Sequence, residues 1–260
     1  MTLARLVYLL SRASSQLLSQ VMFDPASHTR PEHTHAGWPA PPPTKSPVEV
    51  VEMYRAAAER GNAEAQFNLG MAYFNGQGVT QDSAIAIHWF QRAAEQGHEA
   101  PQYNLGVMYL SGIGVPKDSA TAIEWFRLAA EQGYAPAQNN LGVIYMNGLD
   151  VPRDSSMAIK WLRLAAEQGF AVAQTNLGSL YDRGGDIRRD SAEAAKWYRL
   201  AAEQGDAEAQ NNLGTLYDRG EGVLKDSTMA VKWFRLAAEQ GHELARNNLV
   251  VMLERGEGGS

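Results

Sequence analysis

Apolar residues along this chain recur at helical spacing, in blocks of constant length. In Ala63–Gly76 (AEAQFNLGMAYFNG) the small or apolar positions Ala65, Leu69, Ala72 and Tyr73 lie on one face of an α-helix. In Ser83–Gly97 (SAIAIHWFQRAAEQG) the stripe is Ala86, Ile87, Phe90, Ala93 and Ala94. Both blocks return every 36 residues, which the columns Leu69, Leu105, Leu141, Leu177, Leu213, Leu249 and Trp89, Trp125, Trp161, Trp197, Trp233 mark. The pattern predicts five full helical hairpins at 62–97, 98–133, 134–169, 170–205 and 206–241, with half units at 48–61 and 242–256.

Local signals delimit the helices. Asp82, Asp118, Asp154, Asp190 and Asp226 stand before the second helices, where a carboxylate can accept from free backbone N–H groups. The heptapeptide RLAAEQG occurs at 127–133, 163–169, 199–205 and 235–241, and its Gly suits the left-handed position after a helix. Between the helices lies NGQGV (Asn75–Val79); Asp150 and Asp186 replace the second glycine in two units, and both are expected to keep its left-handed turn.

Repetition has a physical reason. Helices of this length are marginal alone, and one hairpin cannot bury its own stripe, whereas stacked hairpins share a core. Ala93, Ala129, Ala165, Ala201 and Ala237, with Gly70, Gly106, Gly142, Gly178 and Gly214, are expected to let helices approach closely. RLAAEQG then reads as a packing face followed by a stop signal.

The pattern AEAQFNLGMAYFNGQGV followed by D-S-A and A-I-H-W-F-Q-R-A-A-E-Q-G closely resembles the Sel-one-like repeat (SLR) family, relatives of the tetratricopeptide repeats. The resemblance covers residues 48–256. It implies an all-α solenoid, a right-handed α-α superhelix whose first helices line a concave face, and a scaffold or adaptor role in signalling or complex assembly. A disulfide-stapled subset of the family does not apply, since the chain has no Cys.

Composition narrows the function further. Of the net charge of −6, residues 1–47 carry +2, so the remainder is acidic and offers no clustered Lys/Arg footprint for nucleic acid. No apolar run is long enough to span a bilayer. Lack of Cys excludes thiolate metal sites and cysteine nucleophiles, and no cofactor is expected.

In a tetratricopeptide-like register, the groove-facing positions of the first unit are Glu64, Phe67, Met71, Phe74 and Asn75. Those of the second are Tyr103, Val107, Leu110 and Ser111; the third has Asn139, Val143, Met146 and Asn147. The fourth and fifth turn polar, with Thr175, Ser179, Asp182, Arg183 and then Asn211, Thr215, Asp218, Arg219. An exposed apolar strip that becomes polar reads as a peptide- or protein-binding groove; the alternative is that these side chains pack on one another. A carboxylate clamp is not expected, because none of the pairs Phe67/Met71, Tyr103/Val107, Asn139/Val143, Thr175/Ser179 and Asn211/Thr215 carries a cation.

Other columns have plainer readings. Asn68, Asn104, Asn140, Asn176, Asn212 and Asn248 are expected to make inter-helix hydrogen bonds, with contact to a ligand backbone as the alternative. Asp182, Asp218 and Glu254, with Arg183, Arg219 and Arg255, are expected to form inter-repeat ion pairs. Stacking at about 10 Å puts successive carboxylates too far apart for a shared metal. His98 and His242 fall in equivalent turns, and His28, His33 and His35 sit in a Pro-rich tract that would not preorganise a metal site. A hydrolase with its site in the groove is the alternative function, but no Ser–His–Asp arrangement can be assembled from the sequence.

The first 23 residues carry Leu3, Leu6, Leu10, Leu17 and Val21 on one helical face, with Arg5 and Arg12 the only charges. This amphipathic stretch reads as a targeting, interfacial or docking segment; otherwise a cytoplasmic location is expected. Residues 24–47, with seven of the eleven prolines, read as an extended linker. At the other end, Val250–Leu253 form an apolar run with no second helix to cover it, which points to a second copy of the chain or to Leu3–Val21 as its cover.

Overall fold

The computed structural model describes residues 45–257. Its secondary structure is entirely helical among those residues: α1 Pro47–Glu59, α2 Ala63–Asn75, α3 Ser83–Ala94, α4 Glu99–Ser111, α5 Ser119–Glu131, α6 Ala135–Asn147, α7 Ser155–Glu167, α8 Ala171–Arg183, α9 Ser191–Glu203, α10 Ala207–Arg219, α11 Ser227–Glu239 and α12 Glu243–Glu254. The expectations for the amphipathic stretch 1–23 and for linker residues up to 44 lie outside the described residues. Within them, the linker stops earlier than expected: Ser46 forms a capping box with Glu49, and Pro47 opens α1.

Even-numbered helices are the first helices of the hairpins and odd-numbered ones the second. The chain divides into two compact units, ending at Trp125 and starting at Phe126. In the first unit α1 packs on α2, α2 on α3 and α3 on α4; in the second, α6 to α12 pack in the same sequential way, and α6 also meets α8. The fold class is therefore an all-α solenoid of repeated hairpins.

Caps fall where the sequence places them. Asp82, Asp118, Asp154, Asp190 and Asp226 each accept from the backbone N–H three residues on, at 2.9–3.1 Å. The turn after α6 keeps its left-handed residue without glycine, since Asp150 has φ 56°. The turn after α8 does not: Gly184 and Gly185 take φ 64° and 112°, and Asp186 is released from the left-handed region. Its carboxylate instead accepts from Ser155 N (3.3 Å) and Ser155 Oγ (2.5 Å) at the start of α7, and pairs with Arg153 at 2.8 Å. The Ser155 hydroxyl and the Arg153 charge hold the Asp186 carboxyl below its ordinary range.

The alanine column is fully buried, and close approach is visible at the helical glycines. A Cβ at Gly70 would fall 2.7 Å from the Phe90 ring, and one at Gly178 would fall 2.7 Å from the Tyr198 ring. Around these contacts the first unit buries Ala65, Leu69, Phe90, Leu105 and Met108. The second buries Leu162, Leu177, Tyr198, Leu213 and Phe234. No helix among the described residues is long and apolar enough to cross a membrane.

Only part of RLAAEQG behaves as a packing face. Its two alanines are buried in the second unit, apart from the half-buried Ala238, but its leucines are exposed: Leu128 43%, Leu164 39%, Leu200 46% and Leu236 36%. They lie at the solvent margin of the stripe. The Arg reaches 18 residues forward to a tyrosine hydroxyl, as Arg163 to Tyr181 (2.7 Å) and Arg199 to Tyr217 (2.9 Å). The Gln serves a ladder. Gln138, Gln174 and Gln210 each donate to the carbonyl eight residues back, at Ala130, Ala166 and Ala202 (3.0, 3.0 and 3.1 Å), adding a second donor to helix-end carbonyls that also accept from Gly133, Gly169 and Gly205 N. The Oε1 of each accepts in turn from the heptapeptide Gln at 168, 204 and 240 (2.7, 2.8 and 2.9 Å).

Candidate partner-binding face

The positions expected to line a groove are more enclosed than a free groove would leave them. In the first unit Phe67, Met71, Phe74 and Leu110 are half-buried, while Tyr103 and Val107 are 2% exposed. Phe67 sits with its ring centre 5.9 Å from Phe90 and 5.3 Å from His98, so much of this apolar strip packs on the unit's own core. Asn104 donates to Met71 Sδ at 3.6 Å, and Asn68 to Glu64 Oε1 at 3.3 Å.

In the second unit the half-buried positions are Val143, Met146, Ser179, Asp182, Thr215 and Asp218, and the buried ones are Asn139, Thr175 and Asn211. Val143 and Met146 rest against the cluster of Leu162 and Leu177. Thr175 Oγ1 lies 3.0 Å from Asp206 Oδ1 and 3.1 Å from the Ala171 carbonyl. Asp206 caps α10 by accepting from Ala209 N at 2.7 Å. Burial pushes the Asp206 carboxyl up, against the opposing pull of the Ala209 N–H and the Thr175 hydroxyl.

The Asn column does link helices, but through a partner one residue earlier than the column's own Asn in the preceding hairpin. Asn176 Nδ2 donates to Asn139 Oδ1 at 2.9 Å, and Asn248 Nδ2 to Asn211 Oδ1 at 3.0 Å. Asn139 and Asn211 donate in turn to the adjacent Asn140 and Asn212, at 3.4 and 3.3 Å. Asn139 and Asn211 were placed in the groove by register, yet they are the buried centres of these amide networks.

The histidine turns also gain a definite role. His98 and His242 stand at the N-cap positions of α4 and α12, each with Nε2 3.0 Å from a glutamate of the preceding first helix, Glu64 and Glu208. His242 Nδ1 accepts from Ala245 N at 3.1 Å, so the ring proton lies on Nε2 and points to Glu208. These contacts orient the rings toward carboxylates and give no support to a serine–histidine hydrolase site.

The inter-repeat ion pairs come from the turns rather than from the Asp182 and Arg183 columns. Arg189 joins Asp182 (3.0 Å) to Glu221 of the next hairpin, whose contact is shorter still. Both partners raise the Arg189 guanidinium above its ordinary value. Asp218, Glu254, Arg183, Arg219 and Arg255 make no ion pair among the described residues. No group of three or more His, Asp or Glu side chains among the described residues could hold a metal, and His28, His33 and His35 lie outside them.

Comparison with known proteins agrees with the hairpin architecture. The family pattern of the Sel1 repeat matches residues 63–98, 102–134, 135–170, 171–206 and 207–242. No curated protein matches the chain significantly. Among solved structures, c5321, a protective antigen of uropathogenic Escherichia coli with an SLR fold, is 42% identical with a TM-score of 0.78. That match covers 81% of this chain and only 45% of the antigen, so this chain spans less than half of that protein's length. A Sel1 repeat protein from Oxalobacter formigenes is 31% identical, with a TM-score of 0.71 over 83% of this chain and 92% of its own.

Proposed function

Because the chain belongs to the Sel1 repeat family, we propose that it is a non-catalytic scaffold that holds a protein or peptide partner along the inner face of its first helices. Sel1 repeat proteins generally serve as protein-interaction scaffolds. The observation that carries the reading is the mixed, half-buried row Val143, Met146, Ser179, Asp182, Thr215 and Asp218, which keeps solvent access beside a rigid, fully packed core. Half-exposed apolar and polar groups on rigid helices suit recognition without large ordering costs. Signalling or complex assembly is the setting this role fits.

Photo-crosslinking in the native host tests the proposal. A photoreactive residue at Met146 or Asp218 is expected to trap a protein adduct, whereas one at the outer position Leu164 is not. Adducts arising from Leu164 alone would sink the inner-face reading.

The C-terminal edge belongs to the same scaffold reading. Val250, Val251 and Leu253 are 48%, 42% and 49% exposed. Val250 stands in the column of Gly214, where an added Cβ would fall 2.9 Å from the Phe234 ring. We infer that a second copy of the chain covers this edge.

A further inference from the structure

We propose that the second copy covering the C-terminal edge presents its own α1 there, so that α12 of one chain and α1 of the next pair as the two helices of a hairpin do. The inference rests on the second-copy reading above and names the surface that the partner copy supplies.

The two ends carry opposite halves of one repeat. Residues 55–61 read RAAAERG, a variant of RLAAEQG, so α1 is a second helix. In α12 residues 246–249 read RNNL, where α6 and α10 have QNNL, so α12 is a first helix. Among the described residues, α1 has no first helix before it and α12 no second helix after it.

Each end leaves open what a complete hairpin closes. Ala86, Ala122, Ala158, Ala194 and Ala230 are fully buried on the second helices, whereas Val50, in the same column of α1, is half-buried. Phe90, Phe126, Leu162, Tyr198 and Phe234 are at most 2% exposed, whereas their equivalent Tyr54 is half-buried. On α12 the mirror case holds: Leu249 is half-buried in a column that is otherwise buried, and Val250 beside it is exposed. These are the positions at which the helices of a hairpin touch. A Cβ at Gly70, the equivalent of Val250, would fall 2.7 Å from the Phe90 ring and 3.2 Å from the Ala86 carbonyl oxygen. Joining α12 to α1 of the next copy therefore continues a contact that the chain already makes within its hairpins, and it closes both openings at once. Joining α12 to α12 would leave Val50 and Tyr54 open on both copies.

The joint is wider than a hairpin, because Val50 stands in the place of Ala and Val250 in the place of Gly. Packed helices lie roughly 8–10 Å apart according to the side chains between them, and two valines set the wide end of that range. Their burial replaces close backbone approach as the source of stability. Such a contact uses a different surface on each copy, so a dimer keeps one free α1 and one free α12 and can extend.

The chain has no Cys, so single-cysteine variants report the joint. Full-length Val50→Cys and Val250→Cys chains are mixed in a glutathione redox buffer, and the disulfide products are mapped by mass spectrometry. Cysteines pair only when their Cα atoms come within about 7 Å. Docking raises the effective concentration of one thiol at the other, so the 50–250 dimer is expected to exceed the 250–250 dimer roughly tenfold. Urea midpoints of the reduced variants check folding, and Tyr54→Cys with Val250→Cys repeats the measurement from the neighbouring contact. A 250–250 dimer that forms as readily as the mixed one would mean edge-to-edge pairing. A parent that dimerises in sedimentation while neither mixed product forms would put the partner's contact elsewhere. Either result overturns this inference and leaves the second-copy reading standing. If the parent stays monomeric at high concentration, both fall.

Discussion

Gly142 and Leu162 touch so closely that a Cβ added at 142 would lie 2.5 Å from Leu162 Cγ. This contact sets the distance between α6 and α7. Gly142→Ala gains about 1 kcal/mol of helix propensity but overpacks the contact, and the clash is expected to win by about 1–3 kcal/mol. Urea denaturation measures the loss. Adding Leu162→Ala should make the two effects non-additive, because the smaller side chain leaves room for the new methyl. Additive losses would mean that the helices are not held apart at this point.

The glutamine ladder gives an asymmetric pair of variants. Gln138→Ala removes two hydrogen bonds at once, the one it donates to the Ala130 carbonyl (which keeps its bond from Gly133 N) and the one it accepts from Gln168, and is expected to cost about 1–3 kcal/mol. Gln168 is exposed, so Gln168→Ala should cost less, about 0.5–1.5 kcal/mol. Equal midpoints for the two in chemical denaturation would contradict a ladder anchored at the buried carbonyl.

Asp206 makes stability depend on pH in the less common direction. An unfolded Asp titrates near about 3.9. Burial raises the folded value above that, so the group's favourable contribution is complete below the unfolded value and fades as pH rises through the folded one. Asp206→Asn keeps an oxygen for Ala209 N and removes the buried charge. The variant is expected to be more stable than the parent at pH 7, with the difference closing toward pH 3. Urea midpoints at both values check this; a parent more stable than the variant at pH 7 would reverse the sign.

The C-terminal edge predicts self-association. Sedimentation equilibrium should find the parent chain dimerising and a Val251→Glu, Leu253→Lys variant monomeric, with helix content unchanged. A parent that stays monomeric at high concentration would remove the dimer. In that case, lower stability on deleting residues 1–23 would make the N-terminal segment the cover.

The hairpins were legible in the sequence because their determinants are local. Helical spacing, Asp before a helix and Gly after one act over a single turn of chain, and these elements form where they were expected. The roles of Arg163 and Gln168 were not legible, since their partners lie 18 residues forward and 30 residues back and meet only through packing. Leu164 was misread for a related reason: spacing gives the angle of a stripe but not how far the neighbouring helix covers it. Asn139 and Thr175 do lie on the first helices, as the register requires. Their burial depended on Asn176 and Asp206 in the next hairpin, which a single repeat cannot reveal. The turn at Asp186 differs because Gly185, where the other turns have Gln77, Ile113, Leu149 and Glu221, takes a left-handed conformation in its place, a substitution one position away.

The glutamine ladder also bears on how such a chain can change length. Each rung draws its parts from fixed offsets, eight residues back to a carbonyl and 30 residues forward to another amide, as at Gln138, Gln174 and Gln210. Removing or duplicating any 36-residue segment rejoins equivalent offsets, so the new junction inherits a complete rung wherever the cut begins. Growth and shrinkage by whole units is thus tolerated by the bonding pattern itself, and a gene-level duplication needs no compensating mutation at its seam.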